Sequence, residues 1–298
     1  MQVSTSAFYD NTAKRLSSLG GRATQLQTEI STGKKVQTAS DAPAVAQQLA
    51  ELSRKDSDAV AYDQNMKMAG SLLQQGDGIL DQITTQIQRA LVLTTQAGSD
   101  TQTPQGRTII GTELASIVQS ITGLANTRDV RGQPLFGTPD GSPAVTANAD
   151  GTFTYATTDV SPVPIADGQS VQATESAARL FKRTAATDTL QMLNDLATAL
   201  KAGPSDGSVA RAALDDITAA NDQVGVVQAS LGARAARVEL QQNLATTASA
   251  DRADLKSQLE DTDITSAMVE LQQLMTALSA TQASFSKLSS LSLFDYLR

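Results

Sequence analysis

The two ends of this chain, although far apart in sequence, carry the same kind of apolar stripe. Near the N-terminus, residues stepping by three and four positions are Tyr9, Thr12, Leu16, Leu19, Ala23, Leu26 and Ile30. Near the C-terminus, the same spacing recurs at Ile264, Ala267, Leu271, Leu274, Leu278, Thr281, Phe285 and Leu288. Because an α-helix has about 3.6 residues per turn, each set falls on one narrow face of a helix. Each end is therefore predicted to form a helix that packs against another helix, which points to assembly rather than to catalysis.

The composition favours thin helical layers over a thick globular core. Aromatic residues make up 3% of the 298 residues, and tryptophan is absent. A chain of this length also exceeds the usual size of a single core. We therefore expect long helices packed through Leu, Ile, Val and Ala rather than a large α/β enzyme.

Charge and hydropathy argue against two classes of partner. The net charge of -8 and the pI near 4.6 have the wrong sign for binding phosphates, so no nucleic acid is expected. No run of 18 apolar residues occurs, so no membrane insertion is expected. The start, MQVSTSAFYDNTAKR, lacks the charged and apolar regions of a secretory signal, and we expect any export to use another route.

The chain has no cysteine and no histidine, which excludes thiol and imidazole catalysis and the usual zinc sites. Carboxylates remain, and Glu260, Asp261 and Asp263 could form a general acid and base or a site for a hard cation. The interpretation we favour is a helix start, where negative side chains suit the positive end of the helix dipole. We accordingly predict no catalytic, cofactor or metal site.

The first 137 residues have a mainly helical pattern. Gly33 is expected to end the first helix, with Ser40 or Asp41 as the N-cap of a second helix and Pro43 in its first turn. A broader apolar face follows between residues 72 and 91. After the turn SDTQTPQGR, the segment RTIIGTELASIVQSITGLAN predicts another helix, antiparallel to the previous one because the connection is short.

The composition changes between residues 138 and 175. Four of the eight prolines fall here, with five acidic residues and no Lys or Arg. The segment Thr152–Ala156 after Asp150-Gly151, and the string VPIADGQSV, favour short strands separated by turns. A disordered acidic loop is the alternative.

Helix is expected to return near Thr174 and to continue to the C-terminus with one interruption, KAGPSDGS at residues 201–208, since no glycine or proline follows Gly232. The predicted fold class is mainly α: a long antiparallel helical bundle or coiled coil from both termini, with a small β-rich inserted domain. The predicted domains are an N-terminal helical half, 1–137, with its coiled-coil segment at about 1–35, the insertion at 138–175, and a returning half at 176–298. The two stripes could equally pack against each other within one chain, as in an ordinary helical bundle.

Four strings carry a resemblance to a known family: ISTGKKVQTASDAPA, LANTRDVRGQPLFG (residues 124–137), QASLGARAARVE (residues 228–239) and the ending FSKLSSLSLFDYL. The first resembles the N-terminal motif of bacterial flagellins. The others resemble, in order, the block before the variable domain, the start of the returning helix and the terminus in the hook-associated branch of that family. The resemblance covers nearly the whole chain except residues 138–175.

The resemblance implies a structural protein of the flagellum, an adapter at the hook–filament junction. It implies export through the flagellar type III channel with a flagellar export chaperone and no cleaved signal peptide, and hence an extracellular location. The implied partners are further copies of the chain in a ring, the first hook-associated protein on the hook side and flagellin on the filament side. The implied assembly contacts are Leu16, Leu19, Leu26, Ile30, Leu271, Leu274, Leu278, Phe285, Leu288, Leu293 and Phe294. Gly33, Asp41 and Pro43 would shape the junction between an inner tube and the outer domain.

Two other functions compete with the adapter. A filament-forming flagellin has chemically similar ends and would form long filaments from purified protein. A carboxylate-based enzyme acting on surface polysaccharide, or a binder of it, would need a cleft with two carboxylates and aromatic platforms. Six Phe and four Tyr residues spread over the chain argue against those platforms.

Overall fold

The computed structural model describes residues 2–138, 140–157, 161–184, 187–202 and 207–296. Within these ranges the helices are α1 (Gln2–Thr32), α2 (Pro43–Ala97), α3 (Pro104–Ala125), α4 (Ala177–Phe181), α5 (Thr189–Lys201), α6 (Ser208–Glu260) and α7 (Ile264–Tyr296). The strands are β1 (Val145–Ala147), β2 (Phe153–Tyr155), β3 (Val163–Ala166), β4 (Gln169–Val171), β5 (Lys182–Thr184) and β6 (Thr187–Asp188). The mainly α fold class with a few small strands is confirmed.

The chain divides into two compact units. The larger unit is Asp58–Thr246, and the smaller unit combines Met1–Ser57 with Thr247–Arg298.

The larger unit has its core between α2, α3, α5 and α6. The apolar face predicted between residues 72 and 91 is buried there, with Leu80, Ile83 and Ile87 fully enclosed. Burial of a side chain of this size stabilises a fold by about 2 kcal/mol. Leu114 and Ile121 of α3 join the same cluster.

Glycines allow two close helix approaches in this core. A methyl group at Gly111 of α3 would lie 2.8 Å from the carbonyl oxygen of Ala197 in α5. A methyl group at Gly76 of α2 would lie 3.0 Å from Cδ2 of Leu231 in α6. The absent Cβ atoms let both pairs of helices pack closely.

The connection from α2 to α3 is a tight turn held by a buried arginine. Arg107 donates from Nε to the carbonyl of Ala97 at 2.9 Å and from Nη2 to that of Ser99 at 2.8 Å. Thr103 caps α3 by accepting a hydrogen bond from the Gly106 N–H at 3.1 Å. The predicted antiparallel arrangement of α2 and α3 is confirmed, because Arg89 of α2 pairs with Glu113 of α3 about two turns away from this connection.

The strands form three two-stranded antiparallel hairpins, β1–β2, β3–β4 and β5–β6. The first two lie in the segment predicted to be β-rich, and β2 lies within the predicted strand Thr152–Ala156. Gly151, at φ +83, supplies the left-handed conformation required by the turn between β1 and β2. The described part of this segment therefore contains ordered hairpins rather than the disordered loop considered as an alternative.

Two predictions about the returning half are wrong. The expected continuous helix after Thr174 is interrupted by the β5–β6 hairpin, since only α4 forms before it. The expected unbroken C-terminal helix is divided between Glu260 and Ile264. The physical reason for this second break is that Asp263 accepts hydrogen bonds from the N–H groups of Thr265 and Ser266, which starts a new helix without glycine or proline.

One helix among the described residues, α3, is long and apolar enough to cross a membrane by length and composition alone. Its apolar side chains Ile110, Leu114, Ile117, Val118 and Ile121 are buried in the core of the larger unit. The high hydropathy of α3 is therefore explained by its position in the core.

Candidate assembly site on the terminal helices

In the smaller unit, α1 and α7 pair in antiparallel orientation, and the two apolar stripes face each other. Leu26 is 1% exposed, and Ala23 and Ala267 are also buried. The other predicted contact residues whose side chains the structure describes are only half-buried: Leu16, Leu19, Ile30, Leu271, Leu274, Leu278 and Phe285. The two stripes therefore pair with each other within one chain. This pairing leaves much of the surface of each stripe accessible to further helices.

The seam ends in an aromatic contact. The rings of Tyr9 and Phe285 meet edge-on with centroids 5.4 Å apart, a geometry that aromatic pairs favour. The backbones of Leu288, Leu293 and Phe294 lie in α7, but their side chains fall outside the described part of the structure.

A second apolar surface on α7 was not predicted. Met268, Val269 and Met275 are between 52% and 55% exposed, and they lie between the positions of the stripe. The sequence signal that could have revealed this surface is the presence of apolar residues in α7 at positions outside the three-and-four spacing. Two faces of α7 thus carry apolar side chains, one of which the partner helix α1 leaves uncovered.

Charged side chains border the seam. Arg22 of α1 donates from Nε and Nη2 to the two carboxylate oxygens of Glu270 in α7, at 3.0 and 3.2 Å. Arg22 also lies 3.7 Å from Glu29, whose side chain is buried. This bidentate pair is compatible with the register in which the two apolar stripes face each other.

Gly33 ends α1 and begins the junction segment. Its φ of +71 permits the left-handed conformation of a helix C-terminus, and its N–H donates to the carbonyl of Glu29 at 2.8 Å. The predicted helix end at Gly33 is confirmed.

The junction segment pairs with the break between α6 and α7. The Lys35 N–H donates to the Glu260 carbonyl at 2.8 Å, and the Thr262 N–H donates to the Gly33 carbonyl at 2.9 Å. The ammonium of Lys34 forms an ion pair with Glu260. Backbone bonds in both directions therefore tie the end of α1 to the start of α7.

Asp41 stabilises the turn before α2 instead of capping that helix. Its carboxylate accepts from the Thr38 N–H at 2.8 Å, the Thr38 hydroxyl at 2.8 Å and the Gln37 N–H at 3.1 Å. These bonds, those of Thr38 foremost, hold the pKa of Asp41 below its ordinary value. The predicted N-cap is wrong, because the first helical bond runs from Ala46 to the carbonyl of Ala42, next to Pro43.

Of the acidic cluster Glu260, Asp261 and Asp263, which was predicted to mark a helix start, only Asp263 caps a helix. Asp263 accepts from the Ser266 hydroxyl at 2.8 Å and from the Ser266 and Thr265 N–H groups at 3.2 and 3.0 Å, which lowers its pKa. Glu260 ends α6, and Asp261 forms a backbone bridge with Lys34. Among the described residues, no group of three or more acidic side chains could hold a metal ion.

In the larger unit, the motif at residues 124–137 forms a hydrogen-bonded loop around Asp129. The carboxylate accepts from the N–H groups of Arg131 at 2.8 Å and Gln133 at 2.9 Å and from Arg131 Nε at 2.9 Å. Burial raises the pKa of Asp129, but these bonds outweigh burial and hold that pKa below its ordinary value. Leu135 and Phe136 then enter the core, so this motif serves to position the segment before the hairpins.

A buried ion cluster anchors the end of the β-rich segment on α6. One carboxylate oxygen of Glu175 accepts from Arg179 at 2.7 Å and from Arg234 at 2.8 Å. Arg234 also donates to the carbonyls of Gln172 and Thr174 at 3.2 Å. Sequence reasoning missed this cluster, since its members are distant in sequence.

Comparison with known proteins identifies the relatives of this architecture. Residues 3–139 match the family model of the bacterial flagellin N-terminal helical region. Flagellar hook-associated protein 3 of Escherichia coli (strain K12) is 23% identical over 315 residues, which cover 99% of this chain and 99% of that protein. Flagellar hook-associated protein 3 of Salmonella typhimurium is 29% identical over 136 residues, which cover 46% of this chain and 43% of that protein, less than half of its length.

Solved structures share the fold. A flagellar hook-associated protein from Vibrio parahaemolyticus aligns with a TM-score of 0.68 at 20% identity, over 74% of this chain and all (100%) of that chain. FlgL from Xanthomonas campestris aligns with a TM-score of 0.61 at 16% identity, over 70% of this chain and 99% of that chain. The predicted resemblance is confirmed: residues 3–139 are similar to the N-terminal helical region of the bacterial flagellins, and the chain is similar, along nearly its whole length, to flagellar hook-associated protein 3.

Proposed function

We propose that this chain is a structural subunit of the bacterial flagellum that acts as an adapter at the hook–filament junction. The observation that carries the proposal is its similarity along nearly the whole chain to flagellar hook-associated protein 3. The flagellar junction protein FlgL from Legionella pneumophila has a similar fold and aligns with a TM-score of 0.55.

The terminal helices support assembly through partner contacts. Their shared seam leaves most of its leucines half-buried, and α7 exposes Met268, Val269 and Met275 beside it. Helices with such uncovered apolar surface gain stability when further helices pack on them. The predicted contact residues, with Gly33, Asp41 and Pro43 at the junction, are thus proposed to work in the assembled ring.

The proposal includes partners and a route. Copies of the chain would contact each other in a ring, the first hook-associated protein on one side and flagellin on the other. A flagellar export chaperone would hold the chain before export through the type III channel to the outside of the cell, without a cleaved signal peptide. The division into residues 1–137, 138–175 and 176–298 remains part of this proposal, and the role proposed for the chain involves no catalysis.

Gene deletion with complementation tests the adapter function. Cells lacking the chain should build hooks without attached filaments and release flagellin into the medium, and the intact gene should restore the filaments. Attached filaments of normal length in the deletion strain would contradict the proposal. Loss of flagellin itself from the flagella and the medium would instead favour the alternative of a filament-forming flagellin.

A further inference from the structure

Methionine is the side chain of this protein that a peroxide oxidises most readily, because cysteine, tryptophan and histidine are absent. The chain has six methionines. Oxidation to the sulfoxide converts a flexible apolar side chain into a polar one and disrupts the interfaces that methionine makes. The consequence of oxidation for this protein therefore depends on which methionines an oxidant reaches.

Burial separates the methionines of the two units. In the larger unit, Met66 is 0% exposed, and Met68 and Met192 are partly buried against the core. In the smaller unit, Met268 and Met275 of α7 are 55% and 52% exposed. Among the methionines that the structure describes, an oxidant in solution therefore reaches those of α7 first.

Met268 and Met275 lie on one border of the apolar stripe of α7. They are about two turns apart along the helix and differ by about 20° around its axis. Glu270 lies on the other border, about 140° from Met275, where it pairs with Arg22 of α1. An ion pair thus closes one border of the seam, while two thioether side chains contact solvent on the other.

The reaction at these side chains needs a peroxide as the oxidant. The thioether sulfur donates an electron pair to one oxygen of hydrogen peroxide, so that an S–O bond forms and the O–O bond breaks. The hydroxide that leaves takes the proton of the transferred hydroxyl group and becomes water. The sulfur is thereby oxidised by two electrons to the sulfoxide, and the peroxide is reduced by two electrons.

We propose that Met268 and Met275 form an oxidation site at which peroxide converts unassembled copies of the chain into copies that cannot join the ring. A sulfoxide is polar, and burying it against a further helix without a hydrogen-bond donor is unfavourable. The single copy keeps its fold after oxidation, because both side chains are exposed in it. The inference rests on the proposed function, in which further helices pack on the terminal helices.

Peptide mass spectrometry of the full chain after treatment with hydrogen peroxide tests the oxidation site. We expect an added oxygen on Met268 and on Met275 at a peroxide dose that leaves Met66 unmodified. Met66 is the internal control, since its side chain is enclosed in the core. Equal modification of Met66, or unmodified Met268 and Met275, would overturn the site.

Filament attachment tests the effect on assembly. The purified chain is oxidised, the peroxide is removed with catalase, and the protein is added to cells that lack the chain. Untreated wild-type chain should restore attached filaments, and oxidised chain should not. Reduction of the oxidised chain by a methionine sulfoxide reductase should restore attachment. The matched control combines Met268→Leu with Met275→Leu, which conserves apolar volume and should restore filaments with or without peroxide.

The outcomes separate the inference from the proposed function. Attachment by fully oxidised wild-type chain would overturn the block on assembly, and so would an equal loss of attachment by the treated leucine variant. A lower melting temperature of the oxidised chain would overturn it as well, because unfolding would then explain the loss. Failure of the untreated wild-type chain to attach filaments would contradict the adapter function, while the mass spectrum would still decide the oxidation site.

Discussion

The ring of Tyr9 contacts the ring of Phe285 edge-on, with centroids 5.4 Å apart and planes inclined by 87°. These residues come from opposite ends of the chain, and Arg22 and Glu270 meet farther along the same helix pair. One chain therefore joins its own two stripes. Assembly, in the proposed function, takes place around a seam that each copy already contains.

Leu278→Asp tests whether that seam is used in assembly. A carboxylate at this half-buried position would be desolvated when partner helices pack on it, which is costly without a hydrogen-bond partner. We expect the larger unit to unfold at an unchanged temperature, while cells lose attached filaments and motility. The control is Gln273→Asp, which adds the same charge at an exposed position. Normal motility with Leu278→Asp would contradict a role of the seam.

Gly111→Ala tests the close approach of α3 and α5. The added methyl group would lie 2.8 Å from the Ala197 carbonyl oxygen, so the helices must separate. We expect a loss of about 1–3 kcal/mol in the free energy of unfolding, as for other overpacked cores. Gly123→Ala on the same helix has free space and should gain up to about 1 kcal/mol. Equal urea denaturation midpoints for the two variants would refute this packing argument.

Glu175→Gln tests the ion cluster that anchors the β-rich segment on α6. Glu175 is buried and receives both Arg179 and Arg234, so neutralising it should cost about 3 kcal/mol of unfolding free energy. Glu113→Gln removes the exposed pair with Arg89 and should cost less than about 1 kcal/mol. Chemical denaturation of the two variants measures both losses of unfolding free energy. A cost for Glu175→Gln no larger than that of the control would show that the cluster does not stabilise the fold.

Asp263 should make the start of α7 sensitive to acid. Bonds from the Ser266 side chain, the Ser266 N–H and the Thr265 N–H lower its pKa from the ordinary 3.8. The stabilisation is therefore fully present above the unfolded-state pKa and is lost as the pH falls through the lower pKa of the folded protein. A carboxyl NMR titration should give a pKa below 3.8, and Asp263→Asn should abolish this part of the pH dependence. Titration of Asp263 at or above its ordinary value would rule out the cap.

Local patterns predicted the features that depend on neighbouring residues. The spacing of Leu16, Leu26 and Leu271 predicted helices with a narrow apolar face, and Gly33 predicted a helix end. Whether those stripes pair within one chain could not be predicted. Periodicity shows which face of a helix is buried, but it does not show which helix covers that face. The hairpin after Phe181 was missed, since no glycine or proline marks it. The helix start at Asp263 was predicted from the acidic cluster, although the length of the preceding helix was not. The Glu175 cluster joins residues distant in sequence, and no local pattern could reveal it.

Labelling the hairpin turn in intact cells tests the adapter function most directly. Ala149 is exposed between β1 and β2, and Ala149→Cys spares the side-chain bonds of Asn148 to Thr152 and Thr154. A maleimide–gold label on this variant, viewed by electron microscopy, should form one band where the hook meets the filament. Label along the entire filament would identify a flagellin, and flagella without label would contradict the flagellar role.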